Sequence, residues 1–297
     1  MKIKPIYSAF FIPLLYDNHR EVKTMRKIYI SADIEGIWGN SNPVHTMPGG
    51  KLYEEYQNNM INEVNMVIDF LFQNGVQEVC VNDGHGNMDN LLPSRLDSRA
   101  SFISSNGAYK EFGMMEGLDD SFDGIMMIGY HAKSNTEGVM AHTIWGTMVS
   151  KICIDGKEVG EVGVNSLLAH AYRVPILLIS GDDILEQQIQ EELPYAAQFV
   201  QTKKAFNNQT ALCCSRDELT RRYQNAIQKS LKSSEKPMDI DSHVVDITFH
   251  KYQNADFVAR MPSVQRIDRC TVRLQNQDTI SLYKLIRFVI KICNSFM

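Results

Sequence analysis

Several apolar runs in this chain end in side chains that bind protons or cations. KIYISAD runs into Asp33 and Glu35, VQEVCVND ends at Asp83 with His85 two residues on, DGIMMIGYHA carries His131, and VGEVG places Glu161 just past a hairpin. In a parallel sheet the carboxyl ends of the strands lie along one edge, where ligands bind, so residues far apart in sequence could converge there. Several carboxylates crowded into one dry place repel one another, and burying each unpaired costs several kcal/mol. A divalent cation removes that conflict. Oxygen and imidazole donors without cysteine suit zinc, or manganese, iron or cobalt, in a catalytic rather than a structural site. There are donors enough for two metal ions, and a shared Asp could bridge them.

Each residue alone has a plainer reading. Asp33 could cap a turn, Glu35 could lie on the surface, His85 sits between two glycines as a turn residue does, His131 could be a satisfied core histidine, and Glu161 could be a carboxylate favoured by a helix N-terminus. Only their joint placement points to metal. Asp83 is expected to orient His85 rather than to bind metal itself. His142, in GVMAHT, is either structural or, beside metals, a proton donor or acceptor or a carbonyl polariser. Asn165 follows Glu161 by four and shares its helix face, where it would meet substrate, support the site or simply fill the helix.

Regular elements must bring these groups together. KIYISAD (27–33) is rich in β-branched and aromatic residues and reads as a buried strand. Leu52, Tyr56, Met60, Val64, Val67, Ile68 and Leu71 recur at helical spacing, and Gly75 stands where a helix ends. A second strand over 76–83 follows, so strand, helix and strand make a right-handed parallel crossover. The run 123–132 reads as a strand covered on both faces. Asp155-Gly156 between alternating residues is a hairpin signal, a helix is expected over 161–172, and PILLIS (175–180) is a further buried strand before an acidic helix. Past residue 195 short strands (AQFVQT, HVVDITF, RCTVRL) alternate with helices near 216–232 and 279–293. The expected architecture is α/β: a mostly parallel sheet with flanking helices in a metal-binding domain over 25–195, and a smaller α+β domain over 196–297 with 233–237 as an exposed connector.

The 297 residues suffice for one large α/β domain or two smaller ones, and 44% hydrophobic with 22% charged is an ordinary globular composition. A formal net charge of −5 offers no electrostatic reason to bind nucleic acid or an anionic membrane. Six cysteines without a C-x-x-C pair, in a chain this long, read as reduced thiols of a cytoplasmic protein. The apolar run Ile6 to Tyr16 is too short to span a bilayer. Residues 1–24 read as a dispensable extension ahead of Met25, with a secretory leader or an extra packed element as rival readings.

The motifs S-x-D-x-E-G, VND-x-H, EGLDDSFDG, GYHA, GVM-x-H and VGE-x-G, in this order between about residues 27 and 185, resemble the D-aminopeptidase family of zinc metallopeptidases. RMPSVQRID resembles that family's segment near its end. The resemblance implies two Zn2+ per chain, held by Asp33 as bridge with Glu35, His85, His131 and Glu161, and a catalytic role for His142. A nucleophile has been described at that position; an acid/base or carbonyl-polarising role is the more natural chemistry, since metal-bound hydroxide is already available. It also implies short peptides with an N-terminal D-residue as substrates and a large ring-shaped homo-oligomer of decamer size. Two departures bear on this: the stretch between His142 and Glu161 is one residue longer than the family pattern, and the loop after Gly36, expected to border the substrate, differs. The expected reaction is aminopeptidase hydrolysis by attack of metal-bound hydroxide. A metal-dependent amidohydrolase or phosphoesterase is the alternative, weakened by the lack of a Gly-rich phosphate loop or an Arg cluster near the motifs. A non-catalytic α/β binding protein would have lost ligands, and all five are present.

Overall fold

The computed structural model describes residues 25–193, 195–233 and 243–294. The segment 1–24 and residues 234–237 of the expected connector lie outside the described residues.

In chain order the elements are β1 (Lys27–Ala32), α1 (Tyr53–Gln73), β2 (Glu78–Asp83), β3 (Ser101–Ile103), β4 (Gly124–Ile128), β5 (Val149–Ile154), β6 (Lys157–Val159), α2 (Glu161–Ala171), β7 (Ile176–Asp182), α3 (Asp183–Glu192), β8 (Gln198–Asn207), β9 (Thr210–Cys213), α4 (Arg216–Ser230), β10 (His243–Phe249), α5 (Tyr252–Val258), β11 (Val264–Arg266), β12 (Thr271–Asn276) and α6 (Thr279–Asn294). Seven strands form the main sheet in the order β3-β2-β1-β4-β7-β8-β9. All neighbours in it are parallel except β9, which returns antiparallel along β8. A second, antiparallel sheet has the order β11-β12-β10-β5-β6. Chain on both sides of position 195 enters both sheets, because β8 and β9 extend the first while the hairpin β5–β6 belongs to the second.

The main sheet is covered on both faces, which is why its central strands are apolar without alternation. Successive side chains of a strand point to opposite faces. Ile28 and Ile30 of β1 therefore pack with Met60, Val64 and Ile68 of α1 and with Tyr223 and Ile227 of α4. Tyr29, between them, joins the opposite core, which holds Leu167 and Leu168 of α2, Ile286 and Val289 of α6, and the inner face of the second sheet, including Ile152, Val245 and Val272. Gly75 takes φ +88° just past α1, and Asp155 and Gly156 both have positive φ (+51° and +82°), as a two-residue hairpin turn requires. All six cysteines are free. Among the described residues no helix is long and apolar enough to cross a membrane.

Candidate metal centre

The candidate site sits at the carboxyl edge of the central strands β2, β1 and β4. Asp33 follows β1 directly, and its amide continues the ladder by donating to the Ile128 carbonyl (2.8 Å). The chain then turns: Ile34 and Ile37 sink into the core, while Asp33 and Glu35 face the site. Gly36 permits that turn. A Cβ there would lie 1.8 Å from the Tyr130 carbonyl oxygen and 2.5 Å from the Gly129 carbonyl carbon. Gly129 has the matching constraint, with φ +76° and a would-be Cβ 2.3 Å from the Asp33 carbonyl oxygen. The glycines of SADIEG and IGYHA thus let two strand ends touch backbone to backbone.

Asp83, at the end of β2, holds a turn rather than entering the site. Its carboxylate accepts from the amides of His85 (3.1 Å), Asn90 (2.5 Å) and Leu91 (2.7 Å), which orients His85. Glu161 is the first residue of α2 and accepts from the Ile144 amide (2.7 Å), tying it to the loop that carries His142.

Two clusters result: Asp33, Glu35 and His85, and His131, His142 and Glu161, each with donor atoms within 4.8 Å of one another. Asp33 faces both. Its Oδ1 is 3.3 Å from His85 Nδ1 and its Oδ2 is 3.5 Å from His131 Nε2. Glu35 Oε2 lies 2.9 Å from His85 Nδ1, and Glu161 Oε1 lies 3.3 Å from His131 Nε2 and 3.7 Å from His142 Nε2. The His131 and His142 rings stack, 4.1 Å between centroids. All of these residues are buried except His142, whose side chain keeps 27% of its exposure and so fronts the solvent side.

Each imidazole turns its other nitrogen to a main-chain carbonyl: His85 Nε2 to Thr46 (3.0 Å), His131 Nδ1 to Ala132 (2.9 Å) and His142 Nδ1 to Met140 (2.9 Å). A carbonyl oxygen can only accept, so those nitrogens carry the hydrogen and the site-facing nitrogens of the neutral rings present lone pairs. A lone pair facing a carboxylate at about 3 Å is repulsive unless a cation or a proton stands between them. Asp33 Oδ2, Glu35 Oε2 and His131 Nε2 are buried without a hydrogen-bond partner. The donor set therefore fits divalent cations.

The protonation equilibria carry the same strain. Burial, then the neighbouring Glu35 charge, pushes Asp33 up to about 8. Burial would lower the two buried imidazoles, but the carboxylates outweigh it: His85 rises well above its ordinary value and His131 to about 10. Burial would raise Glu35 and Glu161, but His85 holds the first well below its usual range and His131 holds the second at about 2. His142 is lowered, first by burial and then by the His131 charge. Protons thus compete for the positions that a metal would take.

Asn165 lies on the Glu161 face of α2 but is 2% exposed. Its Nδ2 donates to the Tyr130 hydroxyl (3.0 Å) and its Oδ1 accepts from the Tyr283 hydroxyl (2.7 Å). Ser31 completes this buried network with the Tyr130 hydroxyl (2.7 Å). Asn165 therefore braces the floor under β1 and β4, and its amide has no group left for substrate. Three further supports have weak signals in the sequence: the Thr46 carbonyl, which is main chain; Asp182, whose Oδ2 accepts from Val139 in the His142 loop (2.6 Å); and Lys203, which reads as an ordinary charge in a strand.

A parallel-sheet edge bearing two adjoining carboxylate–imidazole clusters defines a candidate metal-dependent hydrolase. The chain belongs to the D-aminopeptidase family, whose model matches residues 25–288. It is 34% identical over 263 residues to the D-aminopeptidase of Bacillus subtilis strain 168, covering 87% of this chain and 94% of that one. Among solved structures it is similar to the Zn-dependent D-aminopeptidase DppA from Bacillus subtilis, a self-compartmentalizing protease, with a TM-score of 0.85 and 32% identity over 90% of this chain and 97% of that chain.

Proposed function

We propose that this protein is a zinc aminopeptidase that removes an N-terminal D-amino acid from short peptides. The observation that carries the reading is Asp33, one oxygen facing each cluster, with three buried site-facing atoms left without partners. Asp33, Glu35 and His85 would hold one zinc ion, and His131 and Glu161 the other, with Asp33 shared. Bound zinc supplies a Lewis acid and lowers the pKa of water towards 7. His142 keeps one face to solvent, and its hydrogen on Nδ1 is fixed by the Met140 carbonyl. Its Nε2 takes up a proton and delivers it to the departing amine, or donates to the developing oxyanion. Stacking on His131 keeps that ring from swinging away. Glu161, pinned to the Ile144 amide, holds the loop that carries it.

Likeness to the self-compartmentalizing Bacillus subtilis enzyme supports a homo-oligomer that encloses its active sites; a ring of decamer size is the assembly we propose. Free cysteines throughout agree with a cytoplasmic location. The deciding experiment is a panel of L- and D-aminoacyl dipeptides offered to protein of measured zinc content. Cleavage of the D series alone is expected. Preference for the L series would remove the stereochemical assignment, and cleavage of neither would move the protein to the amidohydrolase or phosphoesterase class.

A further inference from the structure

Lys203 is an unusual group to find in the wall of this site. It lies on β8, is 1% exposed, and pairs in register with Asp182 of β7. Its ammonium donates to the main-chain carbonyls of Glu35, Ile37 (3.0 Å) and Asn40. Those three carbonyls belong to the single turn that follows Asp33, and they converge on one point. Convergent carbonyl dipoles repel, and a buried ammonium is costly wherever nothing offsets it. Each needs the other, and three donors meet three acceptors. The neighbouring Thr202 hydroxyl adds a bond to the Gly36 carbonyl (2.6 Å), and Asn40 Nδ2 closes the turn on the Ile34 carbonyl (3.0 Å).

We propose that Lys203 is a positioning residue for metal binding: its ammonium clamps the 35–40 turn and thereby sets where the Glu35 carboxylate stands relative to Asp33 and His85. This rests on the zinc site proposed above. Glu35 follows β1 by three residues, beyond the β1–β4 ladder, and nothing in its own side chain fixes its backbone. The clamp attaches at its own carbonyl, whose carbon is bonded to the Cα that carries the side chain it orients. A methionine at 203 would fill the volume but leave the Glu35 and Asn40 carbonyls without a donor and the Ile37 carbonyl with only the Asn40 amide (3.2 Å), so the turn would relax and Glu35 would drift. His131 follows β4 by three residues and Glu161 opens α2, and neither is among the partners of the Lys203 ammonium. The effect should therefore fall on one cluster and not the other.

The test is zinc titration of Lys203→Met and Lys203→Gln against a competing chromophoric chelator, with thermal unfolding of each zinc-free protein. The wild type should bind two zinc ions in resolvable steps. In Lys203→Met one step should weaken about 10- to 100-fold, as for groups that orient metal ligands, while the other stays within about threefold. Lys203→Gln, which keeps a donor, should fall between, and it carries the test by the same criterion if the methionine variant fails to fold. Both steps unchanged, with only a lowered unfolding midpoint, would make Lys203 a merely structural lysine and overturn the proposal. Loss of both steps in equal measure would overturn it as well. A wild type that binds no zinc would instead sink the metal assignment itself.

Discussion

Adding one methyl group at Gly36 should disable the centre without touching a proposed ligand. The Cβ of Gly36→Ala would stand 1.8 Å from the Tyr130 carbonyl oxygen and 2.7 Å from that of Gly129, whereas Cβ contacts under 3.0 Å are essentially never seen. Both neighbours are main chain at the end of β4, so no flexible side chain can swing aside. The turn must retreat by roughly 1 Å, and an error of that size at a reacting centre can cost about 10²-fold in rate. The retreat would also strain the Gly36 amide bond to the Gly129 carbonyl (2.6 Å) and the Thr202 bond to the Gly36 carbonyl. Metal–ligand distances tolerate only about 0.2 Å, so Glu35, one residue away, should lose its hold. Overpacking of this kind costs about 1–3 kcal/mol, a fall of several degrees in unfolding midpoint, which leaves the protein folded at room temperature. The assay is elemental analysis of zinc per chain alongside kcat/KM on a D-aminoacyl dipeptide. We expect less than full zinc and at least a 10²-fold loss in kcat/KM. Full zinc with kcat/KM within about threefold of wild type would refute the idea that these two strand ends define the geometry.

Two other outcomes follow from the same structure. His142→Ala should lower kcat by about 10²- to 10⁴-fold while zinc remains bound, because the remaining carboxylates and imidazoles are untouched; elemental analysis and steady-state kinetics check this, and full activity would remove His142 from the chemistry. Glu63 is pushed up to about 7, chiefly by burial, against an ordinary value of 4.5. The folded state thus holds a proton there that the unfolded chain releases, so its contribution to stability is complete below about pH 4.5 and is lost as pH rises through about 7. Glu63→Gln should remove that loss. Its unfolding midpoint relative to wild type, followed on zinc-free protein from pH 5 to 8, should move in the variant's favour, by at most about 3 kcal/mol in stability terms. A difference that does not change with pH would show that Glu63 is already ionised in the fold.

Much of the centre was readable because its groups are written at strand ends, where apolar periodicity stops and chemistry begins. Asp33, Glu35, His85, His131 and Glu161 each terminate or follow a run whose type is set by local propensity. His142 also joins them, although its loop has no such pattern. Asp155-Gly156 announced its hairpin because only residues that tolerate positive φ suit that turn. The partner of that hairpin could not be read: β5 pairs with β10, about ninety residues away, and that choice is made by packing in three dimensions. Short elements such as β3, α5 and β11 were missed because three to seven residues carry too little periodicity to stand out. Asn165 looked available because spacing reveals a helix face but not what covers it; Tyr130 and Tyr283 arrive from β4's end and α6. Lys203 was invisible for the same reason, since its acceptors are carbonyls more than 160 residues earlier in the chain.

The carbonyls of Thr46, Ala132 and Met140, which choose the tautomer of the three histidines, are peptide groups, and every amino acid supplies one. Replacing the side chain at 46, 132 or 140 cannot delete the acceptor, so the nitrogen offered to the site survives any substitution that keeps the local path of the chain. Proton placement is in this way insulated from point mutation and exposed only to changes of backbone shape. Side chains at these buried positions can thus fail through packing without altering which nitrogen faces the site, whereas insertions or deletions in the same loops should displace the acceptors themselves.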